Sequence, residues 1–179
     1  MHFTEFLDKN SCYIFHNSWK IHAPVELIWN ELVNFKDWPA WCDGLESIEP
    51  LGQFTGLQEG NQIKSMWKGI FPYTLTFNAE IKDFTLYSFL AFRVTGDLHG
   101  KGSCHFLSCQ DFTDIHFTWN VSTTKLWMRM SSPLIRPLFV DNHNRIMDQG
   151  LIGFKKMIHS KSSTFIDKPI FTQAYPKQT

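Results

Sequence analysis

The sequence has no surplus of charge: 17 Lys and Arg balance 17 Asp and Glu, so the formal net charge is zero. A general nucleic-acid binder needs a basic excess to neutralise phosphates, so no nucleic-acid partner is expected. Nor is there a long hydrophobic run. A membrane-spanning helix needs about 20 consecutive apolar residues, and no stretch approaches that, so no stable membrane insertion is expected. Residues 1–9 lack a basic n-region and an apolar h-region, so no secretory signal is read there. Cysteine is sparse. Cys12, Cys42, Cys104 and Cys109 form no Cys-x-x-Cys pair. Cys104 and Cys109 are five apart, which puts them on opposite faces of any strand they share. Neither a zinc cage nor a disulfide framework is indicated, and reduced thiols in a cytoplasmic protein are expected. His99, His105 and His116 match no metal-ligand spacing. A Gly-x-Ser-x-Gly nucleophile motif is missing. Gly100-Lys101-Gly102-Ser103 lacks the spacing of a phosphate-binding loop. No metal and no cofactor is expected.

What is present is aromatic. The 179 residues include 17 Phe, 7 Trp and 4 Tyr, and only 19% are charged. Disordered chains have few aromatics and a large net charge, so that class is excluded. The length suits one domain. A chain of this size buries about 70% of its extended surface, enough for a sizeable core. The expected organisation is an N-terminal extension over 1–11, a domain over 12–158 and a C-terminal tail over 159–179. No internal repeat is found, and the oligomeric state is left open.

The order of elements is informative. Residues 12–22 read as a first strand. Pro24 then opens a helix whose Val25, Ile28, Trp29 and Leu32 fall at i, i+3, i+4 and i+7. Proline suits the first turn, where its missing N–H has no partner to lose. A turn-rich stretch with Trp38-Pro39-Ala40-Trp41 follows. In 73–82, Tyr73, Leu75, Phe77, Ala79 and Ile81 alternate with polar residues. In 115–122, Ile115, Phe117, Trp119 and Val121 do the same. Strict period two means one dry face and one wet face, which favours an antiparallel sheet. Further strands are expected over 45–52, 61–68, 86–95 and 102–110, with hairpin breaks at Gly96-Asp97, Gly100-Lys101-Gly102 and 111–114. Ser132-Pro133 resembles a helix start, and Pro137 should kink or break that helix. From 141 to 158 a helical stripe carries Ile146, Met147, Gly150, Phe154 and Met157, with His143 on the same face.

Four segments together resemble the START-like (SRPBCC) superfamily, in its polyketide cyclase/dehydrase and lipid transport branch. They are Ile21-His22-Ala23-Pro24-Val25-Glu26-Leu27-Ile28-Trp29, the aromatic turn from Phe35 to Trp41, the glycine-marked meander ending near Trp119-Asn120-Val121, and the run from Pro137 through His143 and Met147 to Gly150. The resemblance covers residues 12–158. It implies an α+β helix-grip fold, in which a curved antiparallel sheet wraps around a long C-terminal helix. It also implies an apolar cavity between the two and a hydrophobic small molecule as partner: a lipid, a polyketide or a quinone-like ring. It brings no shared catalytic motif.

The expected cavity-lining residues are Trp67, Phe71, Tyr73, Phe77, Phe92, Phe117, Trp119, Trp127, His143, Met147 and Gly150. His143 is the candidate catalytic residue, since a neutral imidazole can donate to a carbonyl or act as acid or base near neutral pH. A structural histidine satisfied by a local partner is the alternative. Gly150 either leaves space for a ligand or lets the helix lie close on the sheet. Arg93 and Arg136 are candidates for orienting an anionic head group, and Arg93 is alternatively a solvent-facing residue of strand 86–95. Asp141 and Asp148 read as solvated helix-face carboxylates or, alternatively, as an acid/base pair. The loop around Trp67-Lys68-Gly69-Ile70-Phe71-Pro72-Tyr73 is a candidate gate or contact surface. Three functions follow: a non-enzymatic binder of an apolar ligand, a cyclase/dehydratase-type enzyme using His143, and a protein-interaction module centred on Phe71.

Overall fold

The computed structural model describes residues 12–54, 56–69 and 73–166, with side chains described outside 126–135 and 163–166. Seven strands form one antiparallel sheet: β1 (Cys12–Ile21), β2 (Leu45–Leu51), β3 (Gln62–Lys68), β4 (Thr74–Thr85), β5 (Phe89–Gly96), β6 (Leu98–Ser108) and β7 (Thr113–Thr123). Their spatial order is β1-β7-β6-β5-β4-β3-β2. Between β1 and β2 lie helix α1 (Val25–Val33) and a 3-10 turn over Phe35–Ala40, so this stretch crosses from one sheet edge to the other. The last element among the described residues is α2 (Leu126–Ile166). This is the helix-grip arrangement. Among the described residues no helix is long and apolar enough to cross a membrane.

Alternation sets the face of each strand. In β4, Leu75, Phe77, Ala79 and Ile81 are buried, and the residues between them are not. In β7, Ile115, Phe117 and Val121 are buried against the same interior. Pro24 stands at the α1 N-cap with extended backbone and no side-chain cap bond, and Val25, Ile28, Trp29 and Leu32 are the buried face.

Two expectations are corrected. Gly100 and Gly102 lie inside β6 rather than in a hairpin break. A Cβ on Gly102 would overlap the Phe92 ring, so the glycine admits a cross-strand aromatic instead of turning the chain. The last helix is one element running past Pro133 and Pro137 and on to Ile166. Proline removes one backbone hydrogen bond. Beyond it, Phe139, Phe154 and Ile158 are buried against the sheet, and that packing keeps the helix in line.

Candidate functional site

The helix stripe that faces the sheet runs Phe139, Asn142, Ile146, Gly150, Phe154 and Ile158, spaced three or four apart. Large side chains hold its two ends: Phe139 is 6% exposed and Phe154 is fully buried. Between them the helix offers an amide, an imidazole, a flexible thioether and a glycine. The sheet opposite offers rings. Phe92 meets Trp119 edge-on with centroids 5.1 Å apart, and Trp119 meets Phe77 at 6.0 Å. The gap is a cavity of about 140 Å³ whose wall includes Trp67, Phe77, Phe92, Phe117, Trp119, Met147 and Gly150. These are seven of the residues expected to line it.

A second chamber of about 120 Å³ shares Trp67, Phe77, Trp119, Ile146 and Met147 with the first and adds Phe15, Asn142 and His143. His143 therefore faces this end of the interior and not the larger space. Tyr73 packs against the neighbouring cluster of Tyr13, Phe77 and Phe139, and burial pushes its phenol up to about 12. Phe71 and the Trp127 side chain lie outside the described residues.

The titratable groups are tuned toward neutrality. His143 Nε2 lies 2.8 Å from Asn17 Oδ1, and its ring stacks on Phe15 with centroids 3.8 Å apart. Burial pushes the imidazole down to about 4, so it is neutral at physiological pH. A neutral imidazole facing a carbonyl oxygen must donate from Nε2, which leaves Nδ1 as the acceptor. Cys42 and Cys104 line the larger cavity, and burial raises both thiols to about 12, with the Asp43 charge adding to the shift at Cys42. They are apolar surface and not nucleophiles. Ser65 Oγ, also on the wall, donates to the Phe77 carbonyl at 3.3 Å. The indole N–H groups of Trp41 and Trp67 are buried with no partner among the described residues, although both rings line the cavity. An unmade hydrogen bond of this kind costs about 1–3 kcal/mol.

Glycine has two jobs on α2. A Cβ on Gly153 would run into the Trp41 carbonyl oxygen, so that residue seats the helix against the chain after the 3-10 turn. A Cβ on Gly150 would touch Trp19 at 3.3 Å. Gly150 also lines the cavity. Close approach and open space thus meet at the same residue.

Other expectations are corrected. Arg93 pairs with Glu80 at 2.6 Å on the outer face of the sheet. Arg136 donates to the Cys12 carbonyl and stacks over Tyr13. Neither arginine reaches the cavity, because each belongs to an outward or peripheral position of its element. Asp141 and Asp148 are exposed, as solvated carboxylates should be. Asn142 is buried on the inner stripe, three residues after Phe139 and four before Ile146. Sequence reasoning alone misses Asn17, Trp41 and Ser65 as site residues. Asn17 and Ser65 carry a signal: each is a polar residue at an inward position of an alternating strand, between Phe15 and Trp19 and between Ile63 and Trp67.

No family model and no curated protein matches the chain. Solved structures match it well. A protein from Thermus thermophilus is similar at TM-score 0.71 and 16% identity, covering 84% of this chain and 99% of its own. The Zhui aromatase/cyclase of a Streptomyces species is similar at TM-score 0.69 and 13% identity, covering 84% and 96%. A START superfamily protein from Mycobacterium smegmatis is similar at TM-score 0.65 and 10% identity, covering 83% and 98%. At these identities the likeness is one of fold: the chain has the START-like helix-grip fold.

Proposed function

We propose that the chain binds a hydrophobic small molecule between the sheet and α2, working by enclosure and without catalysis. The observation that carries this is the aromatic cavity of about 140 Å³, which shares five wall residues with a second chamber. A wall of this composition gives water few partners, and apolar space of this scale favours an apolar occupant. Each Å² of apolar ligand surface removed from water contributes roughly 25 cal/mol. The indoles of Trp41 and Trp67, which have no partner among the described residues, support an occupant that also carries an acceptor oxygen. A lipid, a polyketide or a quinone-like ring fits that description.

Titration with the fluorescent dye ANS, followed by displacement with apolar compounds, tests this reading. Saturable binding that weakens in Trp119→Ala is the expected result. Unsaturable binding, unaffected by that substitution, would overturn it.

A cyclase or dehydratase reading rests on one observation, the fixed His143–Asn17 pair in the second chamber. Structural likeness to an aromatase/cyclase adds to it. The depressed basicity of His143 weighs against proton abstraction at neutral pH, because a base works best with a pKa near the working pH. His143→Gln separates the two: loss of turnover with retained ligand affinity supports the enzyme, and unchanged behaviour toward a cyclisable polyketide sinks it.

A further inference from the structure

Outside the sheet-helix interior lies a groove of about 320 Å³, between the end of α1 with its following turn, strand β2 and the loop before β3. Its apolar floor is made by Phe35, Ile48 and Ile63, and the same three side chains line the inner cavity. One layer of side chains therefore separates the groove from the cavity. Phe35 is the residue of that layer carried on the 3-10 turn, not on the sheet.

The polar groups of the groove are few. Asn30, Asn34 and Lys36 sit along its helical side. Asn34 Nδ2 donates to Asp37 Oδ2 at 2.6 Å, which engages one of its two amide hydrogens. Among the described residues Lys36 has no ion pair, and Asn30 has no side-chain hydrogen bond. Glu31, the acidic residue of α1 nearest to them in sequence, is held by Lys161. The groove is thus apolar below, and at its rim stand two carboxamides and Lys36, a cation with no ion pair among the described residues. Among the described residues, none on the wall of the inner cavity is charged.

We propose that the groove holds the carboxylate head of an amphipathic ligand whose apolar part passes Phe35 into the cavity. This rests on the ligand-binding reading above and extends it to a ligand class and an access route. A cavity with no charged residue on its wall cannot compensate a full charge, so an ionised head stays outside it. Lys36, the Asn30 amide and the remaining Asn34 amide hydrogen can donate to a single carboxylate. Lys36 lies one residue from Phe35, so the head would anchor at the partition that the tail crosses.

Binding of laurate and of lauryl alcohol to the wild type and to Lys36→Glu tests the proposal. Lys36 is exposed, so the substitution leaves the core intact. Laurate affinity should fall about tenfold in Lys36→Glu, while lauryl alcohol stays within about twofold, since an exposed charge pair contributes modestly and reversal turns attraction into repulsion. Phe35→Leu, which thins the partition, should raise the association and dissociation rates of both compounds. Equal laurate affinity in wild type and Lys36→Glu, or alcohol binding without laurate binding, would overturn the carboxylate site and leave the cavity reading standing. Unchanged rates in Phe35→Leu would overturn the access route. Failure of both compounds to bind the wild type would remove the cavity reading, and this proposal with it.

Discussion

The interior has two regions built from the same residue types, one solid and one hollow. Under α1, Trp29 is 2% exposed and packs edge-on against Phe106 at 5.1 Å and Tyr87 at 6.1 Å. Ile28 and Ile115 beside it are fully buried. Under the middle of α2, Trp67, Phe92, Trp119 and Met147 are only partly buried and face open volume. The sheet supplies rings in both places. The difference lies in the helices. α1 turns four apolar side chains to the sheet, whereas α2 sets Asn142, His143 and Gly150 beside Ile146 and Met147 between its two phenylalanines. The hollow is left by the helix, not by the strands.

Substitutions can break that contrast. The largest effect is expected at the solid end. Trp29→Ala should lower unfolding free energy by about 3–5 kcal/mol, as large aromatic truncations in dense cores do, while Trp119→Ala at the hollow should cost clearly less in the same denaturant titration. Equal losses would mean the hollow is as tightly packed as the α1 end.

His143 comes next. Its folded pKa of about 4 lies below the ordinary 6.5 because burial disfavours the charged ring. The unfolded chain therefore binds more protons between those values, and stability should fall as pH drops from about 6.5 to about 4, by up to roughly 3 kcal/mol. Above that window the group contributes no slope. In His143→Leu, melting temperatures between pH 7 and pH 4 should lose much of this dependence; an unchanged slope would assign it to other groups.

A smaller cost is expected at the seat of the helix. Gly153→Ala pushes a methyl into the Trp41 carbonyl and should destabilise by about 1–3 kcal/mol. Gly150→Ala meets only the edge of the Trp19 ring and should cost less. The smallest effect is a gain. Ala79 lines the hollow, and Ala79→Leu should fill part of it, stabilising by about 0.5–2 kcal/mol while weakening ANS binding. A solid interior would show the opposite sign in stability.

Much of the architecture is legible in the sequence. Period two in β4 and β7 names the buried face correctly, because a pleated strand leaves no other choice. The stripe on α1 is legible residue for residue. Seven of the expected cavity residues lie on the wall of the 140 Å³ cavity, since inward rings on a curved sheet face the enclosing helix. Legibility fails where one residue answers to another far along the chain. Gly102 looks like a turn until Phe92 is placed across from it. Asn142 looks like a solvent residue when the stripe is started at 141, and joins the inner face once Phe139 is included. Asn17 breaks the apolar row of β1, but its partner His143 lies 126 residues away. Phe35, Ile48 and Ile63 carry no pattern that marks them as a shared wall.

The sequence by itself determined the order of elements, the dry face of each, the neutral charge balance and the excess of rings. These follow from local periodicity and composition, which act within a few residues. Only the tertiary structure decided that the rings leave a space, that the thiols and the imidazole beside it are held neutral, and that an outer groove adjoins it. Those properties depend on how closely separate elements approach. Closeness is set by Gly153 against the Trp41 carbonyl and by Gly150 against Trp19, contacts made between segments more than 100 residues apart.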